Sequence, residues 1–157
     1  MKKKKRKLKN NKTLLFDKCR DYLKERINRI KSSLTDLDEA LANETKSSAG
    51  DKYETSREMI NAEINQLSGQ LKQFKEQEEI LELAIQRKES GKIQLGSLVK
   101  TTTANYLICI SVGKLEVEHE TYFAIGANSP IAKNMLGKTE GDSFSFQQKE
   151  VFIREVQ

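Results

Sequence analysis

Residues 48–54 read SAGDKYE and separate two charged segments whose apolar residues recur at alternating spacings of three and four. These apolar positions are mirror images about the junction of Gly50 and Asp51, so that Leu41 matches Ile60 and Ile27 matches Phe74. A stripe of period 3.5 is buried best against a second helix, and a short Gly-containing connection makes the two helices antiparallel. The pattern therefore predicts an antiparallel coiled-coil hairpin over residues 13–90, with its tip at 47–54. The seam positions are Ile27, Ile30, Leu34, Leu37, Leu41, Ile60, Ile64, Leu67, Leu71 and Phe74.

The ends of the two helices follow from local signals. The first helix is expected to begin at Thr13 or Leu14, with Thr13 as a cap, and to end near Thr45. The second is expected to begin within residues 51–53 and to run to about residue 89, before a helix stop at Gly91. At 1.5 Å per residue, each arm would be roughly 50 Å long.

The chain has 157 residues, and its 32% charged and 36% hydrophobic content suits a coiled coil joined to a small core. Seven of the first nine residues are basic; without them, 21 basic residues of the 28 remain against 23 acidic ones. Residues 1–12 are therefore predicted to be a disordered basic arm. The alternative is that the arm contacts RNA phosphates through Lys2, Lys3, Lys4, Lys5, Arg6, Lys7 and Lys9.

The sequence has no run of about 18 apolar residues, and no apolar signal region follows the basic start. We therefore expect a cytoplasmic protein with no membrane partner. Cys19 and Cys109 lack metal-binding spacing and are expected to be reduced thiols. An enzyme that pairs Cys109 with His119, the only histidine, would need the two side chains in contact. A buried strand cysteine is more often part of a core.

From residue 93 onward, short segments rich in β-branched and aromatic residues alternate with turn residues. They predict a domain at 93–157 with five antiparallel strands and one short helix at 131–136. Together with the hairpin, this is an α+β fold. The expected strands are 94–102, 106–112, 114–124, 143–147 and 150–156.

Residues 124–142 read AIGANSPIAKNMLGKTEGD. By themselves they indicate a helix that is capped by Ser129, begins at Pro130 and ends at Gly137. The run closely resembles the signature of the bacterial Gre transcript-cleavage factors. The resemblance implies an FKBP-like C-terminal domain without isomerase activity, which docks on RNA polymerase. The matching docking residues are Ser129, Pro130, Ile131, Leu136, Gly137 and Lys138.

The tip also resembles that family, whose Gly-Asp-x-x-Glu pattern falls here on Gly50, Asp51 and Glu54. Considered alone, Asp51 and Glu54 fit a capping box that stabilises the second helix by about 1 kcal/mol. The resemblance implies that they complete the shell of a Mg²⁺ ion held jointly with RNA polymerase. The polymerase would then cleave the nascent RNA 3′ end when it backtracks. The protein would be a monomeric cofactor of that reaction and not an enzyme by itself.

Two residues depart from the family pattern. Thr55 stands where the family usually has Asn, and Arg57 places a positive charge one turn beyond Glu54. A Gre-like regulator or inhibitor of polymerase without cleavage activity is therefore the first alternative. A non-specific RNA-binding coiled-coil protein that acts through the basic arm is the second.

Overall fold

The computed structural model describes the backbone of residues 1–46 and 50–157 and the side chains of residues 1–44 and 54–157. Two long helices come first, and six strands and a short helix follow, which confirms the α+β class. Within these described residues, no helix is both long and apolar enough to cross a bilayer. The elements are α1 (Lys2–Lys46), α2 (Gly50–Gln86), β1 (Leu98–Thr101), β2 (Asn105–Cys109), β3 (Gly113–Val117), β4 (Glu120–Gly126), α3 (Pro130–Met135), β5 (Ser143–Phe146) and β6 (Lys149–Val156).

The chain divides into two compact units, and both long helices contribute to each of them. One unit is Leu23–Gln77, and the other combines Met1–Tyr22 with Glu78–Gln157. This division differs from the expected one, in which a hairpin at 13–90 was separate from a domain at 93–157. The outer parts of the helices group with the strands because their apolar residues are buried in that unit. Leu15 and Leu81, for example, are only 0% and 1% exposed.

The unit Leu23–Gln77 contains the predicted seam. Ile27 and Ile30 are buried, and the remaining eight seam residues are half-buried. Most of the residues between them are exposed, so burial follows the same spacings of three and four as the sequence pattern. Such a stripe is what a pair of helices buries between them.

A pair of hydrogen bonds joins α1 to α2. Arg20 Nε donates to Glu82 Oε1 at 3.0 Å, and Arg20 Nη2 donates to Glu82 Oε2 at 3.2 Å. Both residues belong to the unit that combines Met1–Tyr22 with Glu78–Gln157.

The start of α1 corrects the prediction of a disordered arm at 1–12. The helix begins at Lys2 instead of Thr13, and Leu8 and Asn11 are buried. Asn11 Nδ2 donates to Tyr122 Oη at 3.2 Å, and Lys12 Nζ donates to the Gln157 carbonyl at 3.1 Å. A short stripe at helical spacing lies among the basic residues and packs in the same unit as the strands. It consists of Leu8, Asn11 and Leu15.

The sheet has six strands in the order β3-β4-β2-β1-β6-β5, not five. The strand expected at 114–124 is two strands, because Glu118 and His119 form a tight turn with φ angles of 51° and 65°. The prediction of a wholly antiparallel sheet is also wrong. Strand β2 pairs with β4 in parallel, with Tyr106 opposite Phe123, whereas the other neighbouring strands are antiparallel.

Helices cover both faces of the sheet within this unit. Ile108 of β2 packs with Met135 of α3 in a buried cluster that also contains Ile93, Val99, Phe144, Val151 and Ile153. Alternate residues of a strand point to opposite faces. Accordingly, Cys109 contacts Cys19 of α1 on the other face. Strand β2 is therefore buried on both sides.

Candidate functional site

The two predicted tip carboxylates lie at the start of α2. The helix begins at Gly50, so Asp51 and Glu54 are within its first turns, and Glu54 is exposed. Residues three apart on a helix are neighbours on its surface. The side chain of Asp51 lies outside the described residues, as do those of Lys46 and Lys52. Thr55 and Arg57 follow on the same helix and are exposed.

The described side chains of this chain do not form a metal site by themselves. Among the residues whose side chains are described, no three His, Cys, Asp or Glu groups converge on one point. Two carboxylates supply at most a few of the six oxygen ligands that Mg²⁺ requires. The predicted shared Mg²⁺ would depend on ligands from elsewhere.

The 129–142 motif forms the turns predicted from its residues. Ser129 Oγ accepts a hydrogen bond from the Ala132 amide at 3.3 Å, and Pro130 opens α3. Gly137 follows the helix with a φ of 82°, where glycine avoids the strain of a side chain. The Thr139 amide donates to Asp142 Oδ2 at 2.9 Å and closes the turn into β5.

The same motif leaves part of its surface exposed. Leu136 is 39% exposed, and Pro130 and Gly137 are also exposed, whereas Ile131, Ser129 and Lys138 are half-buried. Ile93 tethers the segment, because its amide donates to the Lys138 carbonyl and its carbonyl accepts from the Gly137 amide, both at 2.8 Å. The motif therefore presents an apolar residue on a rigidly held turn.

The basic residues of the first helical turns have two different environments. Lys4 Nζ lies 2.9 Å from Glu155 Oε1, and the hydrogen bond between them raises the pKa of Lys4. Lys7 Nζ lies 3.5 Å from Glu118 Oε2. Lys5 and Lys9 line a cleft in the same unit. The seven residues predicted to contact RNA are thus not one equivalent group.

The two cysteines, distant in sequence, meet between α1 and β2. Cys19 Sγ and Cys109 Sγ are 4.0 Å apart, and both are free thiols in a buried environment. The hydrogen bond with Cys19 and the burial of the site raise the pKa of Cys109. A thiol whose pKa is raised is a poor nucleophile, because the thiolate is the reactive form.

The Cys–His pairing is not formed. Cys109 lies opposite Gly126 at the end of β4, whereas His119 lies in the turn before that strand. The seven-residue strand β4 separates them by roughly 20 Å at about 3.3 Å per residue. Cys109 is therefore a core residue, as its apolar neighbours suggested.

A chain of polar side chains links α1 to the sheet. Tyr122, which is 0% exposed, accepts from Asn11 and donates to Glu120 Oε2 at 2.9 Å. Lys100 Nζ also donates to Glu120 Oε2 at 2.9 Å, and the hydrogen bonds from Lys100 and Tyr122 lower the pKa of Glu120. Burial is the main cause that raises the pKa of Tyr122 to about 12. These groups anchor the start of α1.

Compared with protein-family models, with curated proteins and with solved structures, the chain matches none of them.

Two features of the unit that contains the sheet were missed by the sequence analysis. The contact of Cys19 with Cys109 and the cleft lined by Lys5, Lys12 and Arg87 both join residues far apart along the chain. Helical spacing could have grouped Lys5 with Lys9 and Lys12, since they fall at i, i+4 and i+7. It could not have placed Arg87 beside them.

Proposed function

We propose that the protein is an accessory factor of RNA polymerase that stimulates cleavage of backtracked nascent RNA. The observation that carries the proposal is the position of Asp51 and Glu54 in the first turns of α2, the second of two long helices. The resemblance of residues 124–142 to the Gre signature supports it independently. Under this proposal the β domain is FKBP-like and the protein acts as a cytoplasmic monomer.

The chemistry requires a partner. Two carboxylates alone bind Mg²⁺ weakly, because the ion keeps most of its water and demands octahedral geometry. In the polymerase secondary channel, acidic residues of the enzyme, an RNA phosphate and water would supply the remaining ligands. The ion would then activate a water molecule for attack on the phosphodiester, as in two-metal hydrolysis. The P–O bond to the departing segment breaks as the new P–O bond forms.

Docking would use the motif that follows β4. Leu136 is 39% exposed on a turn fixed by the hydrogen bonds of Ile93. Because the backbone of this turn is already ordered, binding there would cost little further ordering of the backbone. We assign Leu136, with Pro130, to the contact with polymerase. Ser129 and Gly137 would act by shaping the turn.

A backtracked polymerase complex with 3′-labelled RNA tests the proposal. The wild-type protein should release short labelled fragments in the presence of Mg²⁺. The double variant Asp51→Asn/Glu54→Gln should bind the complex with unchanged affinity and cut at the polymerase's intrinsic rate. The matched control is Asp38→Asn/Glu39→Gln, which removes two exposed carboxylates from α1 and should cleave as the wild type does.

Cleavage that survives in the double variant would refute the assigned role of Asp51 and Glu54. Binding without cleavage by the wild type would support the first alternative, a Gre-like regulator or inhibitor. The presence of Arg57 one turn after Glu54 favours that alternative, because a guanidinium there could draw the carboxylate away from the ion.

The second alternative, non-specific RNA binding, has its own supporting observation. Lys2 and Lys3 are exposed on the first turn of α1, and clustered lysines bind phosphates through counterion release. Lys2→Gln/Lys3→Gln should then abolish association with the transcription complex. The polymerase proposal predicts only a modest loss.

A further inference from the structure

A basic cleft lies beside the start of α1, at a distance along the chain from the tip carboxylates. Its volume is about 490 Å³, and its walls come from α1, from the segment 87–97 that links α2 to β1, and from the end of β6. All of these segments belong to one compact unit. Pockets for small molecules typically enclose about 300–1,000 Å³.

The walls of the cleft carry an excess of positive charge. Six basic side chains face three carboxylates, those of Glu89, Glu140 and Glu155. Concave surfaces of one sign concentrate the field and attract counter-ions. The basic residues are Lys5, Arg6, Lys9, Lys12, Arg87 and Lys92.

The described carboxylates form their ion pairs with other cations. Lys4, which does not line the cleft, lies 2.9 Å from Glu155, and Lys7 pairs with Glu118 on the β3–β4 turn. Over the part of the chain with described side chains, none of the six basic residues of the cleft is within ion-pair distance of a carboxylate. Lys4 and Lys7 of α1 therefore pair with carboxylates of the sheet and its turns, whereas Lys5, Lys9 and Lys12 line the cleft.

Lys12 lies deepest among these cations. Its ammonium donates to the Gln157 carbonyl at 3.1 Å, and it is half-buried. Burial lowers the pKa of Lys12, and the nearby charge of Lys9 lowers it further, although Glu89 opposes them. A partly desolvated ammonium beside a second cation is compensated best by an anion that accepts hydrogen bonds from both.

We propose that this cleft binds a small phosphorylated molecule of about the size of a mononucleotide. Its phosphate lies against Lys9, Lys12 and Arg87. The combination of positive charge, cleft volume and the half-buried ammonium of Lys12 carries this assignment. It does not rest on the polymerase proposal, because Lys9, Lys12 and Arg87 belong neither to the tip nor to the docking motif.

Titration calorimetry of the full chain at low ionic strength tests the proposal, with AMP, inorganic phosphate, inorganic pyrophosphate and adenosine as probes. AMP and pyrophosphate should bind, and adenosine, which lacks phosphate, should not. Tighter binding of AMP than of inorganic phosphate identifies an organic phosphate as the ligand. Equal binding identifies free phosphate as the source of the same chemistry.

The variant Arg87→Gln/Lys92→Gln removes two exposed cations of the cleft and should weaken the binding of AMP at least tenfold. Lys2→Gln/Lys3→Gln makes the same change of net charge outside the cleft and should alter the affinity less than twofold. NMR of the Lys12 side chain gives an independent readout, since its pKa should rise when pyrophosphate is bound.

Three results would overturn the proposal. One is the absence of binding by all phosphate probes. Another is an equal loss of affinity in the two double variants, which would indicate non-specific charge attraction. The third is binding of a single-stranded RNA oligonucleotide with no binding of the small probes, which would make the cleft part of a nucleic-acid surface.

Discussion

Two glycines have nearly the same φ angle, but only one of them lies close to another backbone segment. Comparing their alanine variants separates the cost of a steric clash from the cost of backbone strain. Gly96 has a φ of 92° and Gly141 a φ of 91°. A Cβ at Gly96 would lie 2.3 Å from the Ala84 carbonyl oxygen, whereas one at Gly141 would have nothing within 4 Å. Alanine at either position takes up a sparsely populated conformation, which costs about 1–3 kcal/mol.

Gly96→Ala has an additional cost, because the segment before β1 must move away from the end of α2. Forcing extra atoms into a packed site typically costs about 1–3 kcal/mol. We therefore expect Gly96→Ala to lower the free energy of unfolding by about 2–6 kcal/mol. Gly141→Ala should lower it by about 1–3 kcal/mol. The Gly96 amide also donates to the Ile108 carbonyl at 2.6 Å, so movement of this segment would disturb the interior strand β2.

Urea denaturation followed by circular dichroism measures both variants against the wild type. The midpoint for Gly96→Ala should fall well below that for Gly141→Ala, with similar slopes. Equal midpoints would refute the reasoning, because they would mean that residues 95–97 do not lie against Ala84. A Gly91→Ala variant, with a positive φ and no contact within 4 Å, serves as a second control.

Three further predictions concern the interior of the same unit. Tyr122→Phe should lower the free energy of unfolding by about 1–3 kcal/mol in urea melts, because the buried amide of Asn11 loses its acceptor. Burial raises the pKa of Tyr122 to about 12. The stabilisation by the neutral Tyr122 hydroxyl should therefore be complete below pH 10 and lost as the pH rises to about 12. Comparison of alkaline unfolding of the wild type and Tyr122→Phe checks this, and identical profiles would contradict it. Cys19 and Cys109 should react with a thiol reagent over hours in the native protein and within seconds in urea, since they are 0% and 2% exposed; fast native labelling would show that α1 does not cover β2.

The helical part of the fold could be predicted because its signal is local and repeated. Seam residues such as Ile30 and Leu71 recur at fixed spacing, and burial in the structure follows that spacing. The cap at Ser129 and the stop at Gly137 were predictable for a similar reason, since each depends on a single residue with a known backbone preference.

Other elements could not be predicted because the deciding contacts are distant in sequence. Asn11 is polar and lies among lysines, so only its contact with Tyr122 reveals that this turn is buried. The turn at Glu118 and His119 takes positive φ angles without the glycine or asparagine that usually marks it.

The candidate sites show the same contrast between local and distant signals. Asp51 and Glu54 could be selected from a short pattern, and α2 places both in its first turns. The cleft could not be selected, because it gathers Lys12 from α1, Arg87 from the end of α2 and Glu155 from β6. A count of charges along the chain assigns these residues to separate segments and does not show that they lie together in the fold.

The anchoring of α1 has a consequence for the order in which the protein can be completed during synthesis. Asn11 binds Tyr122, which is 111 residues later in the chain. At ribosomal speeds of about 5–20 residues per second, its partner is made roughly 5–20 seconds afterwards. During that interval Leu8, Leu15 and Cys19 have no sheet to cover them. Helix α1 is therefore made before the sheet that covers it, and until that sheet forms its apolar side is open to chaperones.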